Sequence, residues 1–190
     1  MIRNLFALIG LLAIILLAVV FFKVQGTLSH FDPKAGEVYL EMMESIIKTR
    51  NPAAATIWSV PVEEGLSADD VDQTMKMVAN ELNMSFVGEL PTSKDIEAKS
   101  GKPYRLVKIY MFCNSLVAAQ MIDYSDAFAA YMPCRITLVE DKTGKLWLIA
   151  LNMDLMIYGG EPLAPDLKKV AEQVKDNMLE IMNRGAKGEF

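Results

Sequence analysis

An uninterrupted apolar segment near the N-terminus constrains this chain more than any other feature. Residues 5–22 contain no charged or strongly polar side chain, and Arg3 and Lys23 flank them. A helix rises ~1.5 Å per residue, so these residues would extend about 27 Å, close to the ~30 Å hydrocarbon core of a bilayer. An apolar helix also satisfies its backbone hydrogen bonds internally, as lipid requires. The segment predicts a transmembrane helix at residues 5–22 after a short cytosolic tail at residues 1–4.

A cleaved secretory signal is the alternative interpretation of this segment. The apolar run exceeds the usual length of about 7–15 residues, and no clear small-residue cleavage site follows it, which favours a retained anchor. A short N-terminal tail before a long domain is the usual layout of a signal anchor, and long domains cross the membrane largely regardless of charge. We therefore expect a single-pass protein of the cytoplasmic (inner) membrane, with its soluble domain on the periplasmic, extracytoplasmic side.

The residues after the span predict one acidic domain. All 24 acidic residues lie there with 17 basic residues, so the net charge of this part is about −7. An acidic domain without a basic stripe does not suit nucleic acid. The single histidine, His30, argues against His-rich zinc sites and most Ser–His or Cys–His catalytic arrangements. No P-loop, GxGxxG or CxxC motif is present. The sequence favours a non-enzyme, with no catalytic residue assigned and no cofactor indicated.

Residues 23–54 predict a linker followed by an amphipathic helix. Residues 24–36 are polar and contain Gly and Pro, whereas residues 37–50 have helical periodicity. The apolar stripe of that helix consists of Tyr39, Met42, Met43, Ile46 and Ile47, opposite Glu37, Glu41 and Glu44. A membrane-surface helix favours Lys and Arg on its polar face. We therefore expect this acidic helix to pack on its own domain or on a partner chain.

Residues 55–190 predict a single α+β domain. The patterns indicate strands at residues 56–62, 84–89, 105–112, 134–140 and 145–152, and helices at residues 67–83, 115–132 (interrupted near 123–125) and 165–184. Residues 91–104 predict a short helix or a loop, and residues 141–144 predict a hairpin turn. This order, with its hairpin, indicates helices packed on a mixed or antiparallel sheet rather than a doubly wound fold.

Two Met-x-Cys pairs lie where predicted strands meet the intervening helix. Met111 and Cys113 close one strand, and Met132 and Cys134 open the next. Because residues i and i+2 share a strand face, both thiols are expected to point toward apolar faces. Asn114 is a good N-cap, so Cys113 would lie just before a helix N-terminus, where the helix dipole lowers a thiol pKa.

Three interpretations of these residues stay open. Both cysteines can simply fill space in the core, where free Cys is common. They can form a redox pair or sulfur carrier, with Cys113 as the activated thiol and Cys134 as its resolving partner. They can also bind Cu(I) together with Met111 and Met132, because thiolate and thioether are soft ligands. Arg135 is a candidate surface ion-pair partner or anion contact.

Four short segments together resemble the domain of unknown function 302 family. They are I-Y-M-F-C-N-S at residues 109–115, M-P-C-R-I at residues 132–136, V-E-D-x-x-G-K-L-W at residues 139–147, and I-M-N-R-G-A at residues 181–186. The resemblance covers about residues 55–184. This chain differs from the family pattern at Ser115, where Pro is usual, and in its N-terminal span and acidic helix.

The resemblance implies a compact α+β domain that often pairs as a homodimer, and it implies no agreed activity. Some members are associated with sulfur-oxidation or respiratory gene sets. We therefore expect a membrane-anchored accessory or binding domain, as a homodimer or a subunit of a larger membrane or periplasmic complex for respiration or sulfur oxidation. A thiol-based redox or sulfur-carrier protein using Cys113 and Cys134 is the alternative, and Cu(I) binding by the Met-x-Cys pairs is the third hypothesis.

Overall fold

The chain begins with a long apolar helix, α1 (Ile2–Leu28). The computed structural model describes the backbone of residues 2–189 and the side chains of residues 10–12 and 14–189, so Met1 of the predicted tail and the side chains of residues 2–9 and 13 lie outside the described residues. Gly10–Leu28 has a mean hydropathy of 2.3, and none of its described side chains is buried inside the protein. By length and composition, α1 can cross a membrane.

The remaining helices and strands form the predicted α+β arrangement. The helices are α2 (Ala35–Thr49), α3 (Ala68–Glu81), α4 (Thr92–Ser100), α5 (Ser115–Tyr124), α6 (Asp154–Tyr158) and α7 (Pro165–Lys187), with 3-10 helices at Ala53–Ala55 and Asp126–Tyr131. The strands are β1 (Ile57–Pro61), β2 (Ser85–Leu90), β3 (Val107–Cys113), β4 (Cys134–Glu140) and β5 (Leu146–Leu151). They form one antiparallel sheet in the order β1-β5-β4-β3-β2. The predicted packing of helices on an antiparallel sheet is confirmed.

The main core lies between one face of the sheet and helices α3 and α7. Alternate strand residues and one stripe of each helix are buried there, as their periodicities of two and about 3.6 residues require. The largest buried side chains there include Tyr110, Phe112, Ile136, Leu138, Leu148, Met75, Met84, Met178, Ile181 and Met182. On the opposite face of the sheet, Ile109, Thr137 and Ile149 are half-buried.

A charged network holds α3 against β2 and β3. The Lys76 ammonium donates to Asp72 Oδ2 at 3.0 Å and to Glu89 Oε2 at 2.8 Å, and Lys108 contacts Glu89 Oε1 at 2.9 Å. Two lysines thus balance two carboxylates. Tyr110 is fully buried beside them, and burial together with the nearby acidic charges raises the pKa of its hydroxyl. Each carboxylate has a lysine partner, so the network joins α3 to strands β2 and β3 through ion pairs. It does not have the arrangement of an acid–base pair.

The segment after α1 is shorter than the predicted polar linker, and it is attached to the domain. Residues 24–28 continue α1, so residues 29–34 alone separate it from α2. Asp32 in this segment is buried, and it pairs with Lys168 of α7. The Asp32 N–H also donates to Gly160 O at 2.8 Å. These contacts fix the start of α2 on the domain.

Helix α2 has apolar residues on two opposite sides. Val38, Met42 and Ile46 form its half-buried inner side, which packs toward the 3-10 helix Ala53–Ala55 and α6. Tyr39 Oη donates to Gly159 O at 2.7 Å. The outer side carries Leu40, Met43 and Ile47, which are 66%, 54% and 70% exposed. The helix thus packs on its own domain as expected, while its outer apolar side stays uncovered in the described chain.

A sulfur-lined cavity as the candidate functional site

Both cysteines lie at the same end of the sheet. Cys113 is the last residue of β3 and Cys134 is the first residue of β4. The register places Phe112 opposite Cys134, so Cys113 is one position beyond direct pairing with Cys134. Both cysteines are half-buried and both are free thiols. The antiparallel pairing of β3 with β4 therefore brings the two Met-x-Cys pairs to one edge of the domain.

A small apolar cavity of about 60 Å³ lies next to these strand ends. It is lined by Cys113, Asn114, Val117, Ala118, Met121, Phe128, Tyr131, Met132, Cys134, Met153, Met156, Ile157, Ala171 and Val174. Val117 and Met153 contact both the main core and a smaller core around Met121 and Ile157. The cavity is thus a space left where the two cores meet.

Six of the fourteen lining residues contain sulfur, and we call this space the sulfur-lined cavity. Besides the two cysteines and Met132, the walls contain Met121 from α5, with Met153 and Met156 at α6. Sequence reasoning missed these last three. Met121 lies in the helix predicted at residues 115–132, where an apolar residue looks like ordinary core, and Met153 and Met156 follow the strand predicted at residues 145–152, where no element was predicted. The concentration of thirteen methionines in the chain was the available signal.

Met111 does not join the other predicted sulfur ligands. It pairs in register with Arg135, on the face of the sheet opposite to Phe112 and Cys134. Its Cε methyl lies 3.1 Å from the position that a Cβ at Gly88 would take. Met111 therefore packs over the backbone of β2. Of the four residues predicted as a soft-ligand set, Cys113, Met132 and Cys134 share the cavity and Met111 lies apart.

Asn114 positions the helix beside Cys113. Its Oδ1 accepts a hydrogen bond from the Val117 N–H at 3.2 Å, which makes it the N-cap of α5. Its side chain also lines the cavity, but the cap engages its acceptor oxygen. The N-terminus of α5 is thereby fixed next to the Cys113 thiol.

The environment of Cys134 favours the neutral thiol. Burial raises the pKa of the Cys134 thiol to about 11, and the nearby Cys113 adds to this effect. The positive charge of Arg135 acts in the opposite direction. At neutral pH the Cys134 side of the cavity is therefore uncharged, in keeping with its apolar walls.

Arg135 points away from the sulfur-lined cavity and is exposed. It borders a wider depression of about 290 Å³, together with Ile109, Thr137 and Ile149. This depression adjoins the sulfur-lined cavity, because Tyr131, Cys134, Met153 and Met156 line both. Arg135 forms no ion pair with any residue that the structure describes. Its predicted role as an anion contact stays a prediction.

The family described as Domain of unknown function DUF302 matches residues 58–185. The chain belongs to this family. The DUF302 match extends from β1 into α7 and includes every residue that lines the sulfur-lined cavity, whereas α1 and α2 lie outside it. The resemblance inferred from the four sequence segments is confirmed.

One solved structure supports the DUF302 fold independently. The crystal structure of an uncharacterized conserved protein DUF302 from Bacillus stearothermophilus is similar to this chain, with a TM-score of 0.55 and 13% sequence identity. The similarity covers 68% of this chain and 97% of that one. No curated protein matches the sequence. The DUF302 relationship thus establishes the fold, and the function has to be argued from the site.

Proposed function

We propose that this DUF302 protein is a membrane-anchored extracytoplasmic accessory domain that binds a small ligand in the sulfur-lined cavity. The observation that carries the proposal is the gathering of both cysteines and four methionines around one small space. Protein interiors are close-packed, and voids larger than a water molecule are few. If the sulfur residues were ordinary core filler, they would fill this space. An open cavity beside two thiols is instead what a binding site requires.

Filling the cavity from α5 tests this binding role. Ala118 lines the cavity, and the next residue, Ala119, is exposed, so Ala118→Phe and Ala119→Phe form a matched pair. We expect native mass spectrometry of the full-length protein, released from membranes in mild detergent, to detect a bound non-protein mass. Ala119→Phe should retain this mass and Ala118→Phe should lose it. Wild-type protein without any bound mass, or equal retention by both variants, would contradict the proposal.

The proposal includes a retained anchor with the domain outside the cytoplasm, and α1 supports the anchor. The helix is apolar over Gly10–Leu28 and makes no buried contact with the domain, which supports a role in lipid. A C-terminal alkaline phosphatase fusion should be active and a C-terminal green fluorescent protein fusion should be dark, as expected for a domain outside the cytoplasm. The opposite pattern would place the domain in the cytosol.

The outer side of α2 supports the accessory role. Leu40 and Ile47 are exposed on a helix that follows the membrane span, and Glu37, Glu41 and Glu44 lie beside them. This surface fits an apolar ridge with basic residues on a partner, which we assign to a subunit of a respiratory or sulfur-oxidation assembly. A C-terminally tagged protein should co-purify with a stoichiometric subunit in mild detergent.

Substitutions on α2 make that test specific. Leu40→Gln with Ile47→Gln should release the subunit, because both side chains lie on the outer side of the helix. Lys48→Gln changes an exposed residue of the same helix and should leave the assembly intact. Wild-type protein that migrates solely as a monomer would argue against an accessory role, and a self-complex would indicate a homodimer instead.

Thiol-based redox or sulfur-carrier chemistry is the second candidate function. Cys113 lies at the capped N-terminus of α5, and Cys134 lines the same cavity. On oxidation by diamide, the two thiols would lose two protons and two electrons to the reagent and form one disulfide. Thiol counting should then fall from two to zero without a change in oligomeric state. Two free thiols after treatment of the folded protein would exclude this function.

A further inference from the structure

We infer that the sulfur-lined cavity is a site for a single Cu(I) ion, bound by Cys113 and Cys134 with thioether support from its methionines. The inference rests on the proposed binding function and specifies its ligand. Thiolate and thioether sulfurs are soft ligands, and soft ligands select Cu(I) among the metal ions that proteins commonly bind. The sulfur donors favour Cu(I), and the small volume and apolar walls of the cavity favour it as well.

The size of the cavity favours a small ligand. A volume of about 60 Å³ accommodates a few water-sized bodies. A nucleotide, a haem or a quinone ring needs far more space, as typical pockets for organic ligands extend over several hundred Å³. A single metal ion is small enough for a cavity of this volume.

The walls of the cavity disfavour a hydrated cation. A buried water needs two to four polar partners, but this lining is almost entirely apolar. Asn114 is one of the few polar residues in the lining, and its Oδ1 is already engaged as the α5 cap. Ions such as Mg²⁺ and Ca²⁺ require oxygen ligands and retain water. The apolar, sulfur-containing walls of the cavity therefore suit a cation that loses its water ligands readily and binds sulfur.

Zinc fits the donor set less well than copper. Structural zinc sites use four Cys or His ligands, sometimes with carboxylates. In the part of the chain that the structure describes, no group of three or more His, Cys, Asp or Glu side chains is placed to hold a metal ion. Two thiols and several thioethers instead match a low-coordinate Cu(I) centre. Met132 lines the cavity two residues before Cys134, Met153 lines it just before α6, and Met156 lines it from α6.

Binding is an exchange of protons for the metal. As each Cys sulfur forms a bond to copper, its thiol proton is released to solvent, and the copper stays in the Cu(I) state because no electron is transferred. Two thiolates around one Cu(I) carry a single negative charge. The guanidinium of Arg135, which follows Cys134 in β4, provides a positive charge nearby. The thioethers complete the coordination without adding charge.

Anaerobic titration of the full-length protein in detergent with Cu(I), in competition with bicinchoninate, tests the inference. We expect one Cu(I) per chain. Cys113→Ser and Cys134→Ser should each weaken binding by about 100-fold or more, and Met153→Leu and Met156→Leu by about tenfold.

Met111→Leu is the matched control, since Met111 packs over Gly88 on the other face and its loss should leave the affinity unchanged. Circular dichroism identifies any variant that fails to fold, and the methionine comparison does not depend on the cysteine variants.

X-ray absorption of the loaded protein gives a second readout. Scattering by sulfur neighbours alone is expected. Nitrogen or oxygen ligands, a stoichiometry well below one, copper retained after substitution of both cysteines, or equal effects of Met111→Leu and Met153→Leu would each overturn the inference. If wild-type protein lacks Cu(I) affinity but carries another mass that Ala118→Phe removes, the copper assignment fails and the proposed binding function stands. If both measurements are negative, both fail.

Discussion

Lys168 of α7 forms an ion pair with Asp32, a residue 136 positions earlier in the chain. The Asp32 side chain is 1% exposed, and its Oδ1 also accepts a hydrogen bond from the Lys34 N–H at 3.0 Å. The pair joins the segment that follows α1 to the C-terminal helix of the DUF302 domain. The start of α2 is therefore attached to the domain at a defined position, which would hold the sulfur-lined cavity and the outer side of α2 at a fixed distance from each other.

Loss of the lysine partner should destabilise the domain. Lys168→Met leaves a buried carboxylate without its ammonium, and removing one partner of a buried polar contact costs about 1–3 kcal/mol. The neighbouring Lys169 is exposed, so Lys169→Met is the matched control with the same loss of charge. Urea denaturation of the full chain in detergent measures both free energies of unfolding. Equal values for the two variants would show that the Asp32 contact contributes nothing.

The Asp32 pair also predicts a pH dependence. Burial alone would raise the pKa of this carboxyl, but the hydrogen bonds from Lys168 and the Lys34 N–H, with the charges of both lysines, lower it below the ordinary value of 3.8. A depressed pKa gives stability that is fully present above the unfolded-state pKa and is lost as pH falls through the folded-state pKa. The stability advantage of wild type over Asp32→Asn should therefore be full at pH 7 and smaller below pH 3.8. An advantage that is unchanged at the lower pH would contradict this assignment.

The close packing of α3 on α7 depends on a glycine. A Cβ at Gly185 would lie 2.5 Å from Met75 Cγ and 3.4 Å from Leu148 Cδ1, and both neighbours are fully buried. Gly185→Ala should thus destabilise the protein by about 1–3 kcal/mol, because overpacking outweighs the gain in helix propensity. Gly36→Ala in α2 meets no atom within 4 Å and should be neutral or slightly stabilising. Thermal unfolding compares the two, and a stabilised Gly185→Ala would refute the packing argument.

The sequence patterns predicted the helices and strands well, because periodicity, caps and turns depend on residues that are close together in the chain. The helix predicted at residues 67–83 begins at a Ser67–Asp70 capping box, and the predicted interruption near residues 123–125 separates α5 from the following 3-10 helix. The strand order could not be obtained in this way. Alternation placed Met111 and Cys113 on one strand face, but only Cys113, the last residue of β3, lines the cavity, whereas the β3–β4 register places Met111 opposite Arg135 and away from it.

The cavity itself was also beyond sequence reasoning. Met121 and Met156 come from helices separated in the chain, and tertiary packing alone decides that they meet Cys113. The polar pattern of residues 24–36 predicted a linker, but it gave no sign that Asp32 would be buried by Lys168. Contacts over such sequence distances leave no periodic signal, because the periodicity of an element reports which face is buried and not what covers it.

Trp147 has a polar role in the β4–β5 turn. Its indole Nε1 donates to Asp141 Oδ2 at 2.9 Å, and Asp141 Oδ1 accepts from the N–H groups of Thr143 and Lys145 at 2.7 and 3.1 Å. One carboxylate therefore holds the β4–β5 turn and attaches it to β5. These hydrogen bonds, led by those from Thr143 and Trp147, lower the pKa of Asp141.

The hairpin contacts predict an order of melting temperatures. Trp147→Phe keeps an aromatic ring and removes one donor, so its melting temperature should fall slightly below that of wild type. Asp141→Ala should melt lower still, because the turn loses the acceptor for its backbone N–H groups as well. Trp58→Phe is the matched control, since the Trp58 indole donates no hydrogen bond within the described chain and lies in the same sheet. Scanning calorimetry of the full-length protein measures the order, and a larger effect of Trp58→Phe than of Trp147→Phe would show that indole packing, rather than the bond to Asp141, explains the role of Trp147.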